Sequence, residues 1–251
     1  NEALESDNSF HVVSFEYAAP ATLLKRVYIT EGYADGGTSG GGIQNRAAWG
    51  NSSSPRIEYC TIEYNKTTSQ GAAYAELRTG TPSAALTTFK PFFFECLFSG
   101  NVNTSFTNKG SVYSLNALDK MLVEASFENC LFEYNIATHL SALVTDGEGR
   151  MTFTHCEFAD DENPQGTFID AVATKFSGTS VTKFVLKISS SEFRGAEASA
   201  IRYNRNNGTA NGALLIDSIY VTKSLFRNNS STKGGAYSQL IEGRSNLITV
   251  F

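Results

Sequence analysis

The sequence is short of several things at once, and each shortage removes a class of protein. Proline occurs 5 times, histidine 3 times, methionine twice and tryptophan once. Charged residues make up only 18% of the chain, its net charge is −5, and the lysines and arginines are scattered. A phosphate-tracking groove needs a dense basic stripe, so nucleic acid is not expected as a partner. No apolar run approaches bilayer length; the best, Pro91–Phe94, is broken by Glu95, so membrane insertion by this segment is not expected. Helical periodicity is absent. The histidines, His11, His139 and His155, lie too far apart in the sequence pattern to share a metal, and no cofactor is expected. The chain opens at Asn1 without methionine, which reads as a processed chain or an excised fragment and leaves secretion open.

What is present is a 41% hydrophobic share over 251 residues, enough for a core and too much for a disordered chain. It is distributed as a repeat. Cys or Ser, any residue, Phe or Ile, two residues and Asn recur as Cys60-Thr-Ile62-Glu-Tyr-Asn65, Cys96-Leu-Phe98-Ser-Gly-Asn101, Cys130-Leu-Phe132-Glu-Tyr-Asn135 and Ser224-Leu-Phe226-Arg-Asn-Asn229. Weaker copies are Cys156-Glu-Phe158 and Ser191-Glu-Phe193, and Val27-Tyr-Ile29 followed by Gly32 reads as the first. The apolar anchors fall at positions 29, 62, 98, 132, 158, 193 and 226, close to a fixed period.

After each anchor a small-residue turn feeds an apolar segment, as at Gly71-Ala72-Ala73-Tyr74, Gly110-Ser111-Val112-Tyr113 and Ser199-Ala200-Ile201. A third segment precedes the next anchor: Leu86–Phe89, Met121–Ala125, Met151–Thr154, Phe184–Ile188, Leu214–Ile219 and Leu247–Phe251. Three short strands per turn, each paired with its copy one turn away, predict an all-β protein, a right-handed single-stranded parallel β-helix of about seven turns. The expected division is an N-terminal extension or cap over 1–26, with one strand at Phe10–Tyr17, and β-helix repeats over 27–251 with an open C-terminal turn.

Alternation along a strand sends Cys96 and Phe98 inward together, and stacked turns place like on like. Ile62, Phe98, Phe132, Phe158, Phe193 and Phe226 are therefore read as one apolar column, and Cys60, Cys96, Cys130 and Cys156 as a ladder of buried thiols. Serine fills the cysteine slot at Ser191 and Ser224; two disulfides are the other reading of four cysteines. Asn65, Asn101, Asn135 and Asn229 stand where the strand bends, either as an amide ladder bonded to the turns above and below or as solvated turn residues.

The Phe98-Ser-Gly-Asn101, Phe132-Glu-Tyr-Asn135 and Phe226-Arg-Asn-Asn229 motifs, with Gly234-Gly235-Ala236-Tyr237, resemble the passenger repeats of polymorphic outer-membrane (autotransporter-type) surface proteins. The resemblance covers most of 27–251 and implies a secreted adhesin or surface-structure role.

Among other candidates, Asp160, Asp161 and Glu162 beside Asn163 form an acidic cluster that fits calcium or a solvated turn. Sequons stand at Asn51, Asn65, Asn103, Asn207, Asn228 and Asn229. Polysaccharide lyases and glycoside hydrolases need a basic residue with cations, or two facing carboxylates. Arg202, Arg205 and Asp217 come nearest to such a group and otherwise read as loop and strand surface. The leading expectation is a non-enzymatic extracellular or cell-surface structural or adhesive protein. Its partners would be copies of itself stacked end to end, a continuation of the same chain, or host or environmental glycans. The alternative is a polysaccharide-binding or polysaccharide-degrading β-helix, which requires a groove on one sheet lined by Arg or Lys and carboxylates.

Overall fold

The computed structural model describes residues 11–105, 110–136, 138–159, 167–174, 181–196, 198–206, 215–232, 234–242 and 246–250. They form an all-β parallel solenoid of about six turns. The count is one below that expected from the sequence because seven anchors bound only six intervals.

Four sheets run along the stack. Sheet 1 has eight strands, from Val13–Glu16 through Ile43–Ala48, Tyr74–Thr79, Tyr113–Ala117, Leu140–Thr145, Ile169–Thr174 and Ile201–Asn206 to Tyr237–Glu242. Sheet 2 runs from Leu23–Lys25 to Asn246–Val250 and contains the longest strands, Met121–Glu128, Glu148–Thr154, Thr182–Ser189 and Leu215–Thr222. Sheet 3 holds the seven anchor strands, whose register runs Ile29, Ile62, Phe98, Phe132, Phe158, Phe193, Phe226. Sheet 4, which the sequence pattern does not reveal, pairs three two-residue strands, Tyr33–Ala34, Lys66–Thr67 and Val102–Asn103.

The proposed boundary at residue 27 moves. Val13 pairs with Ile43 in sheet 1 and Leu24 with Ile57 in sheet 2, so these strands within 1–26 already belong to the solenoid.

Two aromatic columns fill the interior. Phe98, Phe132, Phe158, Phe193 and Phe226 stack with ring centroids 4.5–5.0 Å apart. From sheet 2, Phe93, Phe127 and Phe153 stack at 4.7 and 5.0 Å. The columns meet edge to face, as Phe93 meets Phe98 at 5.5 Å and Phe127 meets Phe132 at 5.6 Å. In-register strands about 4.8 Å apart impose this ring spacing, and each buried phenylalanine contributes roughly 1.5–3 kcal/mol.

The corners depend on left-handed backbone. The residue before each Cys or Ser slot has positive φ, at Tyr59, Glu95, Asn129, His155, Ser190 and Lys223. So does the residue before the Asn slot, at Tyr64, Gly100, Tyr134 and Asn228. For a non-glycine residue this conformation costs about 1–2 kcal/mol, so the side chains next to the bends must hold them.

Candidate binding cleft and the placement of the predicted residues

The asparagines hold one set of bends. Asn101 Nδ2 donates to Ile62 O at 2.8 Å and to Asn135 Oδ1 at 3.0 Å, while its Oδ1 accepts from the Asn65 backbone N–H at 3.1 Å. Asn65 Nδ2 donates to Ile29 O and to Asn101 Oδ1, both at 3.0 Å, and Asn135 Nδ2 donates to Phe98 O at 2.9 Å. Each amide thus clamps the corner one turn back. Asn229 repeats the arrangement, accepting from Ala196 N–H at 2.9 Å and donating to Phe193 O at 3.0 Å.

The cysteine slot holds the other set. All four cysteines are free and buried. Cys130 Sγ donates to Glu128 O at 3.4 Å and Cys156 Sγ to Thr154 O at 3.5 Å, each two residues back across the bend. Ser191 Oγ does the same to Ser189 O at 3.0 Å. Serine thus takes the slot with the same bond across the bend, whereas Val27 holds it in the first copy without a donor. Burial pushes the Cys130 thiol well above the ordinary range.

Two interior clusters are polar. Inside sheet 1, Glu76 accepts from the Tyr113 hydroxyl at 2.7 Å. Burial raises the Glu76 carboxyl to about 8, with the Tyr113 hydrogen bond pulling the other way. Farther along, Arg205 Nη1 lies 3.5 Å from Asp217 Oδ2, with both side chains fully buried. Asp217 also accepts from the Tyr203 hydroxyl and, at 3.2 Å, from Phe184 N–H. Burial raises its pKa. This corrects the reading of Arg205 and Asp217 as surface: Arg205 shares the inward face of Ile201 and Tyr203, and Asp217 that of Ile219. Arg202 points outward and binds buried Asp170, its Nε–Oδ1 distance being 2.9 Å. That pair lies in a cleft of about 320 Å³ on the outer face of sheet 1.

A larger concavity, about 490 Å³, lies on the outer face of sheet 2. Its floor is made by small outward residues, Val185 and Ser218, and its walls by Arg150, Lys183, Lys187 and Tyr220. The register sets Arg150 beside Val185 and Ser218, and Thr152 beside Lys187 and Tyr220. The Lys187 ammonium sits 6.0 Å from the Tyr220 ring centroid. Hydroxyls of Thr152, Ser189 and Thr222 complete the lining. Glu124, just outside it, is held by Lys90 at 2.7 Å and Arg150 at 3.0 Å. The cleft therefore offers cations, hydroxyls and an aromatic face. Sequence reasoning missed it, although Lys183 and Lys187 alternate visibly with inward Phe184, Leu186 and Ile188.

The remaining candidates do not converge. Asp160, Asp161, Glu162 and Asn207 lie outside the described residues. His11 Nδ1 lies 2.7 Å from Gly40 O, His139 packs on Phe168 and His155 stands exposed at a corner. Among the described residues no three His, Cys, Asp or Glu side chains gather as a metal site. Of the sequons, Asn51 and Asn228 are exposed and Asn229 is partly buried, whereas Asn65 and Asn103 are buried. A glycan on either buried amide would break the interior, so those two positions are withdrawn as glycosylation sites of the folded protein. Compared with known proteins, the chain matches no family model, no curated protein and no solved structure.

Proposed function

We propose that this chain is a non-enzymatic adhesive or structural protein of the cell surface or extracellular space, working by the surface its stacked sheets display. The observation that carries the reading is the division of its polar groups. Glu76, Asp217 and Arg205 are sealed inside the solenoid, where no substrate reaches them. Glu124 and Asp170, on the outer faces, are tied into ion pairs. Among the described residues the sheet 2 cleft is lined by cations and hydroxyls without a carboxylate, so these residues do not supply the paired acids of a glycoside hydrolase. The resemblance of the Phe-x-x-Asn repeats to polymorphic outer-membrane passenger repeats supports the same role.

The test is adhesion measured beside turnover. Beads coated with the protein are expected to hold to glycan-bearing surfaces, while soluble polysaccharides incubated with it keep their length and gain no reducing or unsaturated ends. Shortening of any polymer, abolished by substitutions in the cleft, would replace this reading with an enzymatic one.

A further inference from the structure

We propose that the sheet 2 cleft binds an anionic polysaccharide, a ligand assignment that rests on the adhesive reading above. The first argument is the spacing of charge. Lys183 and Lys187 stand on one face of the strand Thr182–Ser189, four residues apart, or roughly 13 Å at about 3.3 Å per residue. Arg150 stands on the neighbouring strand opposite Val185, level with the midpoint between the lysines. A compact anion such as free phosphate calls for convergent donors. Cations spread along a strand suit a polymer that carries carboxylate or sulfate groups at intervals.

The second argument is that these charges are available. Lys183 and Lys187 have no ion pair among the described residues; Glu148 faces Lys183 in the register without closing one. Arg150 gives one guanidinium nitrogen to Glu124, which Lys90 also neutralises, and a guanidinium carries five N–H donors.

The third argument is the rest of the lining. Tyr220 presents a ring beside Lys187, a platform for the apolar face of a pyranose. Thr152, Ser189, Ser218 and Thr222 match sugar hydroxyls as both donors and acceptors. Val185 and Ser218 keep the floor low enough for a chain to lie in it. Nucleic acid fits less well, because three spread cations on a chain of net charge −5 do not form a continuous phosphate track.

The test uses titration calorimetry with a polyuronate, a sulfated polysaccharide, a neutral glucan and duplex DNA, on the wild type and on K183A/K187A. At least one anionic polysaccharide is expected to bind, at least tenfold tighter than the glucan or the DNA. Its affinity should fall as salt rises, and K183A/K187A should lose at least tenfold with an unchanged melting temperature. Equal binding of the glucan, tighter binding of DNA, indifference to the double substitution, or no binding of either anionic polymer overturns the site. Those failures leave the adhesive reading standing, since that reading is tested separately, by adhesion to glycan-bearing surfaces and by polymer cleavage.

Discussion

Tyr113 donates its hydroxyl hydrogen to Glu76 across one turn, at 2.7 Å, inside the solenoid. The Glu76 Oε2 atom has no hydrogen-bond partner among the described residues. A carboxylate there faces the desolvation penalty with one strong donor, so the proton stays on until about pH 8.

The consequence is a stability that falls as pH rises. Between an ordinary carboxyl pKa of 4.5 and about 8, the folded chain keeps a proton on Glu76 that the unfolded chain releases. Stability tied to this group is complete below pH 4.5 and is lost on the way to pH 8. The total is on the order of a few kcal/mol at about 1.4 kcal/mol per unit. Glu76→Gln removes the proton and should flatten that part of the slope. Asp217 shifts in the same direction, so the difference between wild type and variant is the quantity to read. Urea unfolding at pH 5, 7 and 9 checks it, and parallel slopes for the two proteins would refute it.

Removing one amide from the ladder should be costly. Asn101→Ala strips the Asn65 backbone N–H and Ile62 O of buried partners and takes a contact from Asn135. Each buried group left unsatisfied costs about 1–3 kcal/mol, so a loss of about 3 kcal/mol or more is expected. Asn51→Ala, at an exposed position, should stay within about 0.5 kcal/mol. A shift in unfolding midpoint no larger for N101A than for N51A would show that the ladder does not hold the corner.

The repeat was legible because the anchor column uses the same side chains at nearly constant spacing, and a strand's alternation then fixes what points inward. Sheet 4 was not legible, since strands of two residues such as Lys66–Thr67 have no alternation to read. Arg205 and Asp217 failed for a different reason. Period-two counting from Ile201 and Ile219 puts both inside, but charged residues are so seldom buried that they read as surface. The cleft was invisible because it exists only across three strands. Arg150, Lys187 and Tyr220 follow no common motif, and only the register brings them together.

The cysteine column should be silent in the native protein. With all four thiols buried, a thiol reagent near pH 8 is expected to label none before unfolding and four after it. Cys130→Ser should cost no more than about 1 kcal/mol, in the range of one neutral hydrogen bond, because Ser191 already makes the same bond across its bend. Cys130→Val, which removes the donor, should cost more. Rapid labelling of the folded chain, or equal losses for the two substitutions, would contradict this account of the slot.

The sharpest test of the interior is the pair Arg205 and Asp217. Nothing in a stack of phenylalanines requires an ion pair, and apolar residues of similar volume would fill the same space. Their attraction has to offset the removal of two charges from water, and a buried pair seldom gains much over an apolar replacement. Breaking it is another matter. Asp217→Ala leaves the guanidinium buried, and takes the acceptor away from Tyr203 and from the Phe184 backbone N–H. A loss of about 3–5 kcal/mol is expected, and Arg205→Met, which strands the carboxylate, should fall in the same range. The double variant Arg205→Met with Asp217→Leu should recover the part of either loss that comes from breaking this pair, while the Tyr203 hydroxyl and the Phe184 backbone N–H stay without their acceptor. Urea midpoints for the two single variants and the double variant close the cycle. If the double variant is as unstable as the sum of the singles, the pair is not coupled and the buried geometry does not describe the protein in solution.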